Sequence, residues 1–523
     1  MISRICPMRG IRVAGPNAVS RGQIERLVHW LAINAWPSLL AQFTVTTVSH
    51  LSNQISMEKI GCAATTATPS WEELLGSNNW SGYLSPLLPA LRDHLLRCGS
   101  FCQISEDSFI SDSQSKYLGK CRYSPDSILR QVFFKETADY VVDVLSNVDG
   151  YLYTTIVLPF GLAYETNWMG YVAVSSDDLY ERTGRREIYV AWRGTSRPLE
   201  WLEDLDIFLV PFGDEGDVKI MKGWRDIYTT KNTIEQIPSA QEKLKAVIKE
   251  YVDLYKDQNP SIICVGHSLG GSLAIVSAFD IANSGLSEIN GNDHIQVCAV
   301  AFDSPRVGNQ AFNDALEKLP KTKVLRINNI KDIVAYWPPC DGYVDTGKIL
   351  HINSEESTFL KSMGDYEGDQ LRGKITQLHA LLVILHTLTG WSTRFDNNSD
   401  EVKKKLPLVN RSVGHLKAEH KVIEGWWVKK NKGMVYDKEK DIWYEDHGRV
   451  RNSIVDEVSR LRRRGHHDRR WWLVAATERP PMSDCGHQKG GERGGRLWRE
   501  GGGQLWDEGN NRLWHESYCH GVE

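Results

Sequence analysis

The stretch Ser261-Ile262-Ile263-Cys264-Val265-Gly266-His267-Ser268-Leu269-Gly270-Gly271-Ser272-Leu273-Ala274-Ile275-Val276 decides the fold. The run Ile262–Val265 is apolar and largely β-branched, and it reads as a buried strand. From Gly271 to Ala278 the pattern reads as a helix. Between them lies Gly-x-Ser-x-Gly, in the strand–turn–helix setting that a nucleophile elbow requires. So sharp a turn strains the backbone at Ser268 and crowds the residues two before and two after it. Gly266 and Gly270 leave room for that approach. The hydroxyl then stands above the C-terminal edge of a parallel sheet, where the N–H groups of the new helix face a developing oxyanion. The alternative, an ordinary Gly-rich turn, is disfavoured by the flanking strand and helix.

Working outward, strands are expected at Gly170–Val174, Glu187–Trp192, Ser261–Val265, Val297–Phe302 and Lys323–Asn328, with helical stretches between them. Before the first strand, Pro89–Leu96 reads as a helix. Alternating strands and helices imply an α/β fold, a mostly parallel sheet with helices on both faces. Right-handed crossovers gather the loops that follow the strands on one rim.

Composition sets bounds. The 523 residues carry 41% hydrophobic and 10% aromatic side chains, enough for an ample core. A net charge of −4 argues against general nucleic-acid binding. No apolar run is long enough to cross a membrane; the closest, Leu378 to Trp391, is short and interrupted by His379 and His386. The ten cysteines include no Cys-x-x-Cys pair, and Cys264 and Cys298 fall in expected buried strands. That usage favours reduced, buried thiols and a cytoplasmic setting.

Three regions are expected. Residues 1–56 hold five arginines, no lysine and Glu25 as their only acid. They read either as an organelle transit peptide or as an extraneous extension ahead of Met57. Residues 57–447 form the α/β domain. In residues 448–523, basic clusters such as Arg462-Arg463-Arg464 precede a Gly-rich end. There Leu-Trp units at Trp498, Trp506 and Trp514 recur with a period of eight. Three such units cannot bury a core, so this tail is expected to be disordered.

An activated serine needs a base, and the base needs a carboxylate to orient it, in the chain order Ser, Asp or Glu, His. Asp332 follows the strand Lys323–Asn328 and Asp303 follows Val297–Phe302. Spacing favours Asp332 without excluding Asp303. His379 and His386 lie seven residues apart along one apolar stretch. A place near the sheet rim favours His379 as base. His267, inside the elbow, is read as packing within the turn. For the oxyanion, the backbone N–H of Leu269 is one expected donor. Thr195, in the loop after Glu187–Trp192, is the other. In the following segment Pro198, Trp201, Leu202 and Leu205 fall on one helical face. That pattern fits equally a surface helix or a lid over an apolar cleft.

Taken together, these motifs resemble the plant class 3 lipases, most of all the class II phospholipases A1. The resemblance rests on Trp71-Glu72-Glu73-Leu74-Leu75-Gly76-Ser77-Asn78-Asn79-Trp80, Ser115–Ser124, Asn167–Ser175 and Ala191-Trp192-Arg193-Gly194-Thr195. It extends through the Gly-His-Ser-Leu-Gly-Gly elbow, Ser304-Pro305-Arg306-Val307-Gly308-Asn309 and Asn431–Val435. It implies an α/β-hydrolase-like fold with a helical lid, Ser268 as nucleophile, Asp332 as acid and His379 as base, with His386 as the second histidine of the signature. Thr195 and Leu269 would form the oxyanion hole, and Pro198, Trp201, Leu202 and Leu205 the lid. It further implies hydrolysis of glycerolipid acyl esters, often at sn-1, at a membrane or micelle surface, with no metal or organic cofactor. Galactolipids or neutral acylglycerols are alternative substrates on the same scaffold, and a non-catalytic signalling scaffold is the alternative of another kind. Two departures stand out: Asp303 replaces a usually small residue, and Ala380 follows His379 where Asn or Asp is usual. Members of this class begin near the Trp71 signature without transit peptides, which favours the extraneous reading of residues 1–56.

Overall fold

The computed structural model describes residues 68–391, apart from 112–114, 116, 133, 143, 146–147, 158–163, 196–205, 214–215, 290, 292 and 362–375. Beyond these it describes 406, 408–409, 414–420, 434–437, 442–445, 497–500, 504–507 and 512–515.

Eight strands form the central sheet: β1 (Tyr140–Val141), β2 (Tyr151–Val157), β3 (Tyr164–Ser175), β4 (Arg186–Trp192), β5 (Pro260–His267), β6 (Gln296–Phe302), β7 (Thr322–Asn329) and β8 (Lys348–Ile352). The order is β1-β3-β4-β5-β6-β7-β8, with β2 also on β3. From β4 to β8 every pairing is parallel, while β3 pairs antiparallel with β1, β2 and β4. The expected strands are all present, each within a residue or two of its reading except β3. That strand runs back to Tyr164 because β2, which sequence analysis missed despite its aromatic and β-branched residues, pairs along it.

Every residue of β4, β5 and β6 is buried, as a parallel sheet covered on both faces requires. On one face Ile262 and Cys264 meet α2 (Lys222–Thr229), α3 (Ala240–Tyr255) and α4 (Leu269–Asn283). On the other, Ile263 and Val265 meet α1 (Pro89–Ser108) and α6 (Leu381–Trp391). Between α4 and α6 lies α5 (Gln310–Lys318). Local signals set the helix ends. Pro89 occupies the first turn of α1. Ser239 and Glu242 form a reciprocal capping box at the start of α3. The apolar α4 is buried along nearly its whole length, so truncating Leu273 to alanine would cost about 2–5 kcal/mol.

The chain divides into Met1–Ile454 and Val455–Glu523. In the second unit the eight-residue repeat falls on three short antiparallel strands, Leu497–Glu500, Gln504–Asp507 and Arg512–His515, with Trp498 opposite Trp506. Among the described residues, no helix is long and apolar enough to cross a membrane.

Candidate active site

Four parallel strands end on one rim, and the segments that leave them carry the site. At the end of β5 the chain turns into α4 through Ser268, held at φ 57°, ψ −126°. Few non-glycine residues adopt this conformation, and here the packing imposes it. A Cβ on Gly266 would sit 2.0 Å from the carbonyl oxygen of Gly270, and one on Gly270 would sit 2.4 Å from that of Trp192. The crowding expected from the sequence is therefore present, and it also presses the elbow against β4. The Ser268 amide donates to the Phe302 carbonyl at 2.9 Å, fixing the turn to β6.

Asp332 stands in the turn after β7. Its Oδ1 accepts the Val334 N–H at 3.0 Å, and its Oδ2 is 2.5 Å from His379 Nδ1. A carboxylate can only accept, so Nδ1 carries the proton and Nε2 is left as the basic nitrogen. Both His379 Nε2 and Ser268 Oγ are buried without a hydrogen-bond partner. His386 has a different setting. Its Nε2 lies 2.7 Å from the Ser357 hydroxyl, and burial pushes its pKa down to about 4, with His420 adding to the effect. Of the two histidines, His379 is the one joined to Asp332.

The segment carrying His379 is held by its main chain. Asn329, the last residue of β7, donates from Nδ2 to the Leu378 carbonyl at 2.7 Å and to the Ser354 hydroxyl at 2.9 Å. His267 Nε2 donates to the His379 carbonyl at 2.7 Å, and its Nδ1 lies 2.8 Å from Glu106 Oε1 on α1. The reading of His267 as packing within its own turn is thus corrected: it bridges α1 and the His379 segment. Burial lowers its pKa, but the Glu106 carboxylate and the His379 carbonyl outweigh burial, and the net shift is upward. Its ring lies 4.7 Å from that of His379, centroid to centroid. Sequence analysis missed Glu106. Nothing local could signal a partner 161 residues away.

Asp303, the competing acid, follows β6 and is fully buried. Its Oδ1 accepts the Asn329 N–H at 2.7 Å, and it has no contact with the His379 ring like that of Asp332. Burial, then the charge of Asp332, push its carboxyl well above the usual carboxylate range. Asp303, Asp332 and His379 each place a donor atom within 4.8 Å of the other two, the only such set among the described residues that could hold a metal ion. A cation there would compete with the Asp332–His379 hydrogen bond, so the hydrogen-bonded reading accounts better for the geometry.

Leu269 is the first residue of α4, where its N–H has no acceptor within the helix. Thr195 follows β4 on the same rim and is half-buried. A Cβ on neighbouring Gly194 would come within 3.0 Å of the His267 carbonyl, so this loop lies against the elbow. Arg193 anchors it by donating to the Gly194 and Trp168 carbonyls at 2.6 and 3.3 Å. The expected lid residues Pro198, Trp201, Leu202 and Leu205 lie outside the described residues.

Residues 189–342, which run from within β4 through β7, match the family model "Lipase (class 3)". The chain is 40% identical over 393 residues to Phospholipase A1-II 5 of Oryza sativa subsp. japonica, covering 70% of this chain and 80% of that protein. The chain belongs to the class 3 lipase family. Members of this family are carboxylic ester hydrolases. Phospholipase A1-IIdelta of Arabidopsis thaliana is 37% identical over 417 residues, covering 72% of this chain and 96% of its own length. A triacylglycerol lipase from Penicillium expansum, of known crystal structure, is similar at 18% identity with a TM-score of 0.33, covering 51% of this chain and 80% of that one.

Proposed function

We propose that the chain hydrolyses the sn-1 acyl ester of glycerophospholipids through an acyl-enzyme on Ser268. The observation that carries this reading is the pair of buried, unpartnered atoms Ser268 Oγ and His379 Nε2, the latter on a ring anchored by Asp332. In the first step His379 Nε2 takes the Ser268 proton while Oγ attacks the ester carbonyl. Asp332 keeps the ring in the tautomer that can accept that proton and stabilises the imidazolium formed. The N–H groups of Leu269 and Thr195 receive the oxyanion, each contributing roughly 3–4 kcal/mol. His379 then protonates the departing lyso-lipid, and water, activated by the same nitrogen, releases the fatty acid.

Choice of phospholipid rests on the relatives, which are named phospholipases A1-II. Contact with a membrane or micelle surface and a cytoplasmic location belong to the same proposal. Cys98, Cys102, Cys121, Cys264 and Cys298 are free thiols, in keeping with a reducing compartment.

The test is acyl release from phosphatidylcholine carrying different acyl chains at sn-1 and sn-2, with wild type beside Ser268→Ala. Monogalactosyldiacylglycerol and triacylglycerol serve as comparison substrates. Release from sn-1 that is lost with Ser268 is the expected result. Preference for another lipid would move the substrate and keep the mechanism. A folded protein that releases no acyl chain from any ester would overturn the reading in favour of a scaffold.

A further inference from the structure

We propose that Asp303 is a neutral carboxylic acid in the folded chain whose Oδ2–H donates to Asp332, making it a positioning residue that moderates the base strength of His379. The inference deepens the acylhydrolase reading and rests on it for its catalytic meaning.

Asp303 and Asp332 are both shut away from water, 0% and 1% exposed. One oxygen of each lies within 4.8 Å of the other and of a His379 ring nitrogen. Two carboxylates so placed cannot both stay ionised without a cation between them. Arg326 does not serve. Its Nη1 donates to Asp345 at 2.7 Å, its Nη2 donates to the Ser304 and Ala335 carbonyls at 2.8 and 2.6 Å, and its buried Nε–H bonds no acceptor, Asp303 included. One proton must therefore be shared out, and the hydrogen bonds decide where it sits. Asp332 accepts from two donors, Val334 N–H and His379 Nδ1–H, and it faces the ring that gains charge. Asp303 accepts a single N–H on Oδ1, while its buried Oδ2 has no partner among protein donors. The proton belongs on Asp303 Oδ2, the oxygen with no donor of its own, on a carboxyl that places an oxygen within 4.8 Å of Asp332.

The charged and titratable groups that face Asp303 are Asp332, Tyr336 and Arg326 from β7 and the turn after it, and His379 from the segment before α6. His267, beside the His379 ring, closes the set from the β5 side. A hydrogen bond from Asp303 draws negative charge from Asp332. The imidazolium that forms on His379 is then stabilised less.

Asp303 has φ 42°, a region that glycine and asparagine tolerate. Asp303→Gly removes the carboxyl without backbone strain, and Asp303→Asn replaces the acid with an amide that can still donate to Asp332. The pH profile of kcat/KM on a soluble short-chain ester should show the acidic limb of Asp303→Gly moved up by about half to one pH unit. Asp303→Asn should leave that limb in place. Infrared difference spectra of wild type against Asp303→Asn at neutral pH should show a protonated carboxyl band. NMR titration of His379 in a Ser268→Ala background should repeat the upward shift on adding Asp303→Gly. An absent carboxyl band, an unmoved limb in Asp303→Gly, or a shift in Asp303→Asn as large as in Asp303→Gly would overturn the proposal. The infrared and NMR readings need no turnover. A protein inactive on every ester would end the acylhydrolase reading while these still decide the state of Asp303.

Discussion

Glu187 enters near the start of β4 and Asp303 leaves at the end of β6, so two buried carboxylates mark opposite edges of one parallel array. Around Glu187 the charge is answered. Arg185 and Arg97 pair with it, and the Tyr140 hydroxyl donates to it. Burial alone would raise its pKa, but the two arginines outweigh burial and hold the group ionised below the usual range. Around Asp303 there is no such answer, and burial together with Asp332 drives its pKa the other way. The first cluster fastens α1 and β1 to the start of β4. The second leaves polar atoms unsatisfied beside Ser268, where a reacting ester could meet them. Paired charge at the strand starts supports the fold, and unpaired polarity at the strand ends supplies reactivity.

That contrast can be broken by substitution at either edge. At the strand ends, Asp332→Asn should lower kcat by roughly 10⁴-fold, because the tautomer of His379 is no longer fixed. Its urea midpoint should hardly move; a protein that unfolds instead would erase the distinction. At the strand starts, Glu187→Gln should cost about 2–3 kcal/mol in urea unfolding. That is less than the full loss for one partner of a deeply buried pair, because Arg97 and Arg185 keep partial solvent contact, at 31% and 17% side-chain exposure. Its kcat per folded molecule should stay close to wild type. Glu106→Gln should be milder, about a tenfold fall in kcat with KM unchanged, since it loosens only the His267 bridge to the His379 carbonyl.

The smallest and sharpest test is the sign of the pH dependence. Glu187 has a lowered folded pKa, so its stabilisation is present above the unfolded value and fades as pH falls through the folded one. Asp303 has a raised folded pKa. Between its unfolded and folded values, folding must take up a proton, so its presence costs stability as pH rises. Thermal melts should show Asp303→Asn more stable than wild type at neutral pH, with the gain vanishing below about pH 4. Glu187→Gln should show the reverse, its deficit greatest near neutrality. Equal signs for the two would end the comparison.

Much of this was legible along the chain. The elbow, β4 to β7 and Asp332 announce themselves through β-branched runs, glycines two residues either side of a serine, and an acid just past a strand. Spacing alone could not separate Asp303 from Asp332 or His379 from His386. Those choices depend on which ring meets which carboxylate across a separation of 47 positions once the chain has folded. The ties from Asn329 to Leu378 and from Glu106 to His267 are likewise invisible, since no periodicity carries a contact of that span. The protonation of Asp303 is less legible still, because it depends on no Arg326 donor reaching that carboxyl once the chain has folded.

The grip on His379 has a consequence for how its neighbourhood can vary. Asn329 and His267 reach the carbonyls of Leu378 and His379, groups that every residue type supplies alike. In the first turn of the following helix the amides of Val383 and Ile384 donate to the carbonyl of Ala380 and ask nothing of its side chain. The histidine's address is therefore written in the peptide backbone. These hydrogen bonds make no demand on the side chain that follows it, and an alanine can stand where an asparagine or aspartate is customary.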